Sequence, residues 1–319
     1  MKRLMFLLLV LLTACTGTSE PPLDLLLAIG SGNSVVFYPA GVDDAAPVGS
    51  WGIGAEVVDL LRPSGEPSLW VLTPARLLVY PLSGGSLSAP PSQTSASASL
   101  ELGVDCASGR LIVGEARALV DCRNGSVWTV PFAEPALEPV ATNEDEAGTI
   151  YLLGPGDQLT RIRPTPGGLE LVYPGSDPYP FAAGVESDRL AAAWAEEELL
   201  IAVDTGIETR LYTWNANSSR TPEPAGDPLD GLTGLATILS LTGGWLIGGD
   251  EGYVIRRTDK DDLSRPTPVY RGMTTPNFYA YLIAADDLLV IDLLDPLLQE
   301  HRRSLSADPS GLAWLPVGE

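Results

Sequence analysis

The stretch Arg117-Ala118-Leu119-Val120-Asp121-Cys122-Arg123-Asn124-Gly125-Ser126-Val127-Trp128-Thr129-Val130-Pro131-Phe132 holds two short β-prone runs, Ala118 to Cys122 and Ser126 to Phe132. Between them lies Arg123-Asn124-Gly125. Asn-Gly is a strong hairpin signal, because both residues tolerate the positive φ of a type I′ turn. The expected unit is therefore a tight antiparallel hairpin.

The same unit recurs along the chain. Leu25 to Ile29 pairs with Ser34 to Tyr38, and Ser68 to Leu72 with Ala75 to Tyr80. After the hairpin quoted above come Thr149 to Leu153 with Gln158 to Ile162, and Glu198 to Val203 with Glu208 to Trp214. Trp245 to Gly248 with Tyr253 to Arg257, and Tyr279 to Ala284 with Leu288 to Leu293, complete the series. The step between successive second runs averages about 42 residues, the period of a four-stranded propeller blade. Ser99 to Asp105 with Arg110 to Gly114, Pro180 to Val185 with Arg189 to Trp194, and Gly234 to Leu241 are the candidate inner strands. The short steps around residues 161 and 290 suggest blades with fewer or smaller strands. The reading is an all-β propeller of seven blades; an eight-bladed ring or paired β-sandwiches would also use such hairpins. The ring would close by two N-terminal outer strands meeting Arg303 to Ala307 and Gly311 to Leu315, leaving no exposed sheet edge. Arg189 to Leu200 has strong helix propensity, but the repeat places a strand, a turn and a strand there.

Composition agrees. Of 319 residues, 45% are hydrophobic, enough for a large core, and 33 Gly and 28 Pro fall between the apolar runs as turn punctuation. The formal charge of -22 would repel phosphates, which excludes nucleic acid as a partner and disfavours anionic lipid surfaces.

Residues 1–14 read as a targeting segment: Lys2 and Arg3, then the apolar Leu4 to Leu12, too short to span a bilayer. Leu12-Thr13-Ala14-Cys15 resembles the bacterial lipobox. That resemblance implies cleavage before Cys15, lipidation of Cys15 and anchoring at the cell envelope. Thr16 rather than Asp after the cysteine implies export to the outer membrane, on its periplasmic or surface face. Residues 15–22 form a short tether with nothing apolar to pack, and residues 23–319 a single propeller domain. In plan the mature chain is similar to bacterial envelope lipoprotein propellers, including the family of the BAM-complex assembly lipoprotein. Ala202-Val203-Asp204-Thr205-Gly206 resembles a contracted form of that family's recurring signature, and no functional residue is carried over from it.

With Cys15 lipidated, Cys106 and Cys122 remain as an expected disulfide; two buried free thiols are the alternative. They are expected to end the first and third strands of one repeat unit. A cysteine-based zinc shell is not available from these residues. The single histidine, His301, stands beside two arginines in a polar segment, so Ser–His–Asp and Cys–His sets are not expected. No G-x-S-x-G, P-loop or dinucleotide fingerprint is present. The acidic clusters Asp43-Asp44, Glu144-Asp145-Glu146 and Asp259-Lys260-Asp261-Asp262 read as solvated loop tips; calcium in the loops or channel is the sharper alternative. Asn124-Gly125-Ser126 and Asn217-Ser218-Ser219 match glycosylation sequons and read as turns. Tyr173, Tyr179 and Phe181, in a segment stiffened by prolines, are the candidate partner-binding residues, against the alternative that they tuck between blades.

These features point to a lipid-anchored, non-catalytic envelope propeller that binds a protein or glycan. The alternative is a calcium-dependent, carboxylate-based hydrolase, lactonase-like or glycan-cleaving; a redox-cofactor propeller draws the least support.

Overall fold

The computed structural model describes residues 24–41, 45–140, 148–185, 189–218, 220–258, 260–285, 287–305 and 308–317. The targeting segment, Cys15, the tether, Asp43-Asp44, Glu144 to Glu146, Ser219, Asp259 and residues 306–307 lie outside them.

The chain folds into seven antiparallel sheets arranged as the blades of a β-propeller. Blade 1 takes β1 (Leu25–Ser31), β2 (Ser34–Pro39) and β3 (Gly49–Gly52). Blade 2 is β4 (Asp59–Leu61), β5 (Ser68–Leu72), β6 (Arg76–Pro81) and β7 (Ala98–Glu101). Blade 3 is β8 (Arg110–Val113), β9 (Arg117–Asp121), β10 (Val127–Pro131) and β11 (Glu138–Pro139). Blade 4 is β12 (Ile150–Gly154), β13 (Gln158–Thr165), β14 (Gly168–Val172) and β15 (Tyr179–Phe181). Blade 5 is β16 (Arg189–Ala195), β17 (Glu198–Asp204), β18 (Glu208–Asn215) and β19 (Glu223–Pro224), with β20 (Leu229–Asp230) also on β18. Blade 6 is β21 (Thr237–Leu241), β22 (Gly244–Gly249), β23 (Gly252–Arg257) and β24 (Leu263–Arg265). Blade 7 is β25 (Arg271–Thr274), β26 (Tyr279–Ala284), β27 (Asp287–Asp292) and β28 (Glu300–Ser304). The last strand, β29 (Pro309–Pro316), returns to pair with β1 and becomes the innermost strand of blade 1.

Closure therefore joins three N-terminal strands to one C-terminal strand, not two to two. Arg303 was expected to lie in the closing pair, but β28 is already paired with β27, and β3 fills the outer place of blade 1. The expected helix former, Arg189 to Leu200, is the β16–β17 hairpin. Its alanines pack from both faces of a sheet, and that burial outweighs local propensity.

Two further readings change. The hairpin Thr149 to Ile162 is the first and second strand of blade 4, whereas the other six hairpins are second and third strands. Blade 4 is complete at four strands, as is blade 7. The short repeat steps come from a one-strand shift in the first case and from tight loops in the second. The turn after β9 also differs from a type I′ pair: Arg123 (φ 56) and Gly125 (φ 89) take the positive φ, and Asn124 does not. Asn124 instead accepts the Ser126 N–H through its side chain, stabilising the wider loop.

The core is divided among seven apolar clusters, one between each pair of neighbouring blades. Second strands such as β1, β5 and β17 are buried along nearly their whole length, because both faces meet a neighbouring blade. First strands β8 and β25 are only partly buried, since one face lines the central channel. Among the described residues the only helical element is the turn Pro155–Asp157, so no helix there is long enough to cross a membrane.

Candidate functional site: an arginine-rich mouth of the central channel

The innermost strands enclose a central cavity of about 1710 Å³. Its mouth lies where these strands begin. Asp59, Arg110, Arg189 and Arg271 all open an inner strand and line the cavity. Gly311 of β29 abuts Asp59 and Leu60, so the closing strand starts at the same end. The other end of β29 meets the N-terminal segment, where the Val317 N–H donates to the Asp24 carbonyl. The mouth and the N-terminal segment are thus on opposite faces of the ring.

One side of the mouth carries five charged groups. Asp59 accepts the Leu111 N–H at 2.8 Å, which ties blade 2 to blade 3, and pairs with Arg271 at 2.7 Å. Arg271 spans the opening from blade 7 and also donates to the Gly109 carbonyl at 3.2 Å. Arg110 donates to Asp121 at 3.1 Å, while the other oxygen of Asp121 accepts the Arg123 N–H at 2.9 Å. Asp59 and Asp121 are 6% and 4% exposed, so both carboxylates are taken out of water and matched by fixed donors. Across the mouth, Arg189 pairs with Asp250 at 3.0 Å.

Arg123 differs. Its guanidinium has no hydrogen bond or ion pair among the described residues, yet it lines the same cavity. By accessible surface the side chain is exposed to the channel. Desolvation first, and then the neighbouring Arg110, pull its pKa below the ordinary arginine value; Asp121 works the other way.

The disulfide Cys106–Cys122 forms, with a Cα–Cα distance of 4.5 Å. Its placement differs from the expected strand ends: Cys106 lies in the segment leading into blade 3, and Cys122 directly follows β9. That geometry puts the cross-link beside the mouth. Cys122 precedes Arg123, and the Cys106 carbonyl accepts the Gly109 N–H just before Arg110. Asn124 adds a side-chain hydrogen bond to the Asp105 carbonyl at 2.7 Å.

The other sequence candidates lie elsewhere. Phe181 is buried against Tyr212, and Tyr173 and Tyr179 are half-buried against Trp214, with Trp194 beside Tyr173. These aromatics knit blades 4 and 5 together. His301 sits on β28, the outer strand of blade 7, opposite Val290. Asp262 is held by Arg256 at 2.9 Å, and the Asp261 carbonyl accepts from Arg257. Among the described residues no three His, Cys, Asp or Glu side chains converge as a metal shell.

Arg110, Arg271 and Asp59 were not legible as site residues, and Arg123 read only as part of a turn. Once the blade frame is known, a signal exists: a charged residue at the first position of an inner strand, where a channel-facing apolar residue would be ordinary.

No family model and no curated protein matches the sequence. Solved structures do. AztD from Citrobacter koseri, in its apo form, aligns with a TM-score of 0.56 at 12% identity, over 93% of this chain and 98% of that one. A candidate 6-phosphogluconolactonase from Bacteroides uniformis aligns with a TM-score of 0.65 at 12% identity, over 92% and 99%. A protein of unknown function from Desulfotomaculum acetoxidans aligns with a TM-score of 0.61 at 9% identity, over 92% and 99%. At such identities the likeness is one of fold, and the fold it supports is the propeller.

Proposed function

We propose that this chain is a lipid-anchored, non-catalytic propeller of the cell envelope that binds a protein or glycan partner. The observation that carries the binding reading is the channel mouth. Its described carboxylates Asp59 and Asp121 are held in ion pairs and backbone hydrogen bonds, which leaves them poorly placed to shuttle a proton, while a wide opening remains lined with donors. With lipid on Cys15, outer-membrane anchoring would start from the face where Asp24 meets Val317, and the mouth would face away from the bilayer. The propeller neighbours do not choose between binding and catalysis, since one fold hosts many functions.

The hydrolase alternative shares its fold with a candidate 6-phosphogluconolactonase, a likeness that does not by itself favour catalysis. It would need Asp59 or Asp121 to leave its arginine, or a calcium ion held by carboxylates that lie outside the described residues.

The test uses the full-length protein in its host. The expected outcome is incorporation of labelled fatty acid, membrane fractionation released only by detergent, and loss of both in Cys15→Ala. The detergent-solubilised protein should retain one envelope protein or glycan in fixed ratio and hydrolyse neither lactones nor glycans. Hydrolysis that falls in Asp59→Asn or Asp121→Asn would overturn the non-catalytic reading. An unlabelled, soluble wild type would overturn the anchor.

A further inference from the structure

We infer that the channel mouth is a binding site for a small organic acid whose single carboxylate is held by Arg123. The inference stands on the channel alone and would survive if the chain were not lipid-anchored.

The charge count at the mouth motivates it. Among the described residues on this side of the mouth, three guanidinium groups, Arg110, Arg123 and Arg271, face two carboxylates, Asp59 and Asp121. Arg110 and Arg271 are each committed to one of those carboxylates, at 3.1 and 2.7 Å. Among the described residues Arg123 is the cation left over, and its charged neighbours include the two other arginines. Arg123 is exposed to the channel, so water screens its repulsion from the other two cations, and an anion entering the channel would meet a guanidinium that is free to pair. A guanidinium with its fork unengaged is suited to a carboxylate, which it can grip through two parallel N–H donors.

The loop that presents Arg123 is built at a cost. A non-glycine residue at φ 56 sits in the left-handed region that L side chains disfavour. Asp121 captures its N–H, the disulfide fixes the preceding residue, and Asn124 ties the following one to Asp105. Such support fixes where the side chain starts and so pre-organises the site. Backbone strain retained at a braced position is a recognised mark of function.

The charge balance also selects the ligand. One uncompensated positive charge matches a monoanion. A phosphate dianion would over-neutralise the site in a chain of formal charge -22. Below the arginines, Leu111, Ile112, Leu312 and Met273 line the channel and would face the uncharged body of the ligand.

The experiment is calorimetric titration of the full-length, detergent-solubilised protein at low ionic strength with sodium glucuronate, sodium benzoate, glucose and inorganic phosphate. At least one of the two carboxylates should bind, tighter than phosphate and at least tenfold tighter than glucose. Arg123→Gly, a substitution favoured at this φ and so compatible with the fold, should weaken that binding at least tenfold at a melting temperature no lower than that of the wild type. Arg76→Gln, which breaks only the pair with Glu101, should leave it unaltered. Failure of both carboxylates to bind at millimolar concentration, or wild-type affinity in Arg123→Gly, would overturn the site. Tighter binding of phosphate would overturn the carboxylate assignment.

Discussion

At the scale of single residues, the aspartates at the ends of second strands hold turns and neighbouring blades at once. Asp204, 3% exposed, accepts the Gly206 N–H of its own turn at 2.7 Å and the Gly234 N–H of the approach to blade 6 at 2.6 Å. Asp–x–Gly is legible as a turn, because the carboxylate caps a backbone that glycine allows to bend (Gly206 has φ 78). The second bond was not legible, since its partner lies thirty positions away on another blade. Asp204→Ala would strand the buried Gly234 N–H and release the Gly206 N–H of the exposed turn, and should cost about 1–3 kcal/mol in urea unfolding. Asp204→Asn retains one acceptor oxygen and should cost less. Equal midpoints for Asp204→Ala and the wild type would show that water replaces the carboxylate. Arg123 makes a related point: the hairpin could be read from Asn124-Gly125, but the positive φ fell on the arginine, where the disulfide and Asp121 brace it.

Among the elements, the contact between blades 3 and 4 stands apart. Its cluster has four buried members, Leu119, Val127, Tyr151 and Leu153, fewer than the other six clusters among the described residues. A reciprocal clamp reinforces it. Asp157 accepts the N–H groups of Glu115 and Ala116 at 2.6 and 2.8 Å, and the Glu115 carboxylate accepts the Gly156 N–H at 2.8 Å. Gly114 leaves room for this, because a methyl group there would run into the Asp157 carboxylate. With the least apolar burial and an exposed clamp, this contact should open first. Amide exchange of native protein is expected to be fastest at β8 and β12 among the inner strands, and Asp157→Ala should accelerate it there by about tenfold, the equivalent of about 1.4 kcal/mol. Uniform exchange across all seven inner strands would refute the ranking. The second strands were readable because burial on both faces leaves unbroken apolar runs. Inner and outer strands face water on one side and are short, so their sequences carry less pattern. In blade 4 the inner β12 is itself apolar (Ile-Tyr-Leu-Leu-Gly), and this drew the pairing one strand too early.

Across the whole molecule, two buried tyrosines link successive blades near the closure. Tyr281 on blade 7 accepts the Gly41 N–H of blade 1 at 2.8 Å, and Tyr253 on blade 6 donates to Glu300 of blade 7 at 3.0 Å. Burial raises both phenol pKa values above the ordinary 10.0, and the Glu300 carboxylate adds to the rise at Tyr253. A raised folded-state pKa means that this contribution to stability is intact below the unfolded tyrosine value. It is lost as pH climbs above about 10, where only the unfolded chain ionises readily. The urea midpoint should therefore fall steeply above about pH 10, and less steeply in Tyr253→Phe and Tyr281→Phe. Identical slopes in all three proteins would exclude these phenols as the cause.

What the sequence by itself determined is the repeat: hairpins at blade spacing, a composition able to fill seven apolar layers, and two cysteines close enough in the chain to pair. These depend on local turn chemistry and on alternation or runs within a few residues. What only the tertiary structure decided is which strand lines the channel, how the ring closes, and which charges meet at its mouth. Arg271 and the Gly109 carbonyl are 162 positions apart and touch only because closing the ring brings blade 7 across to blade 3. No local pattern encodes such a meeting, since each arginine alone looks like an ordinary polar residue at the start of a strand.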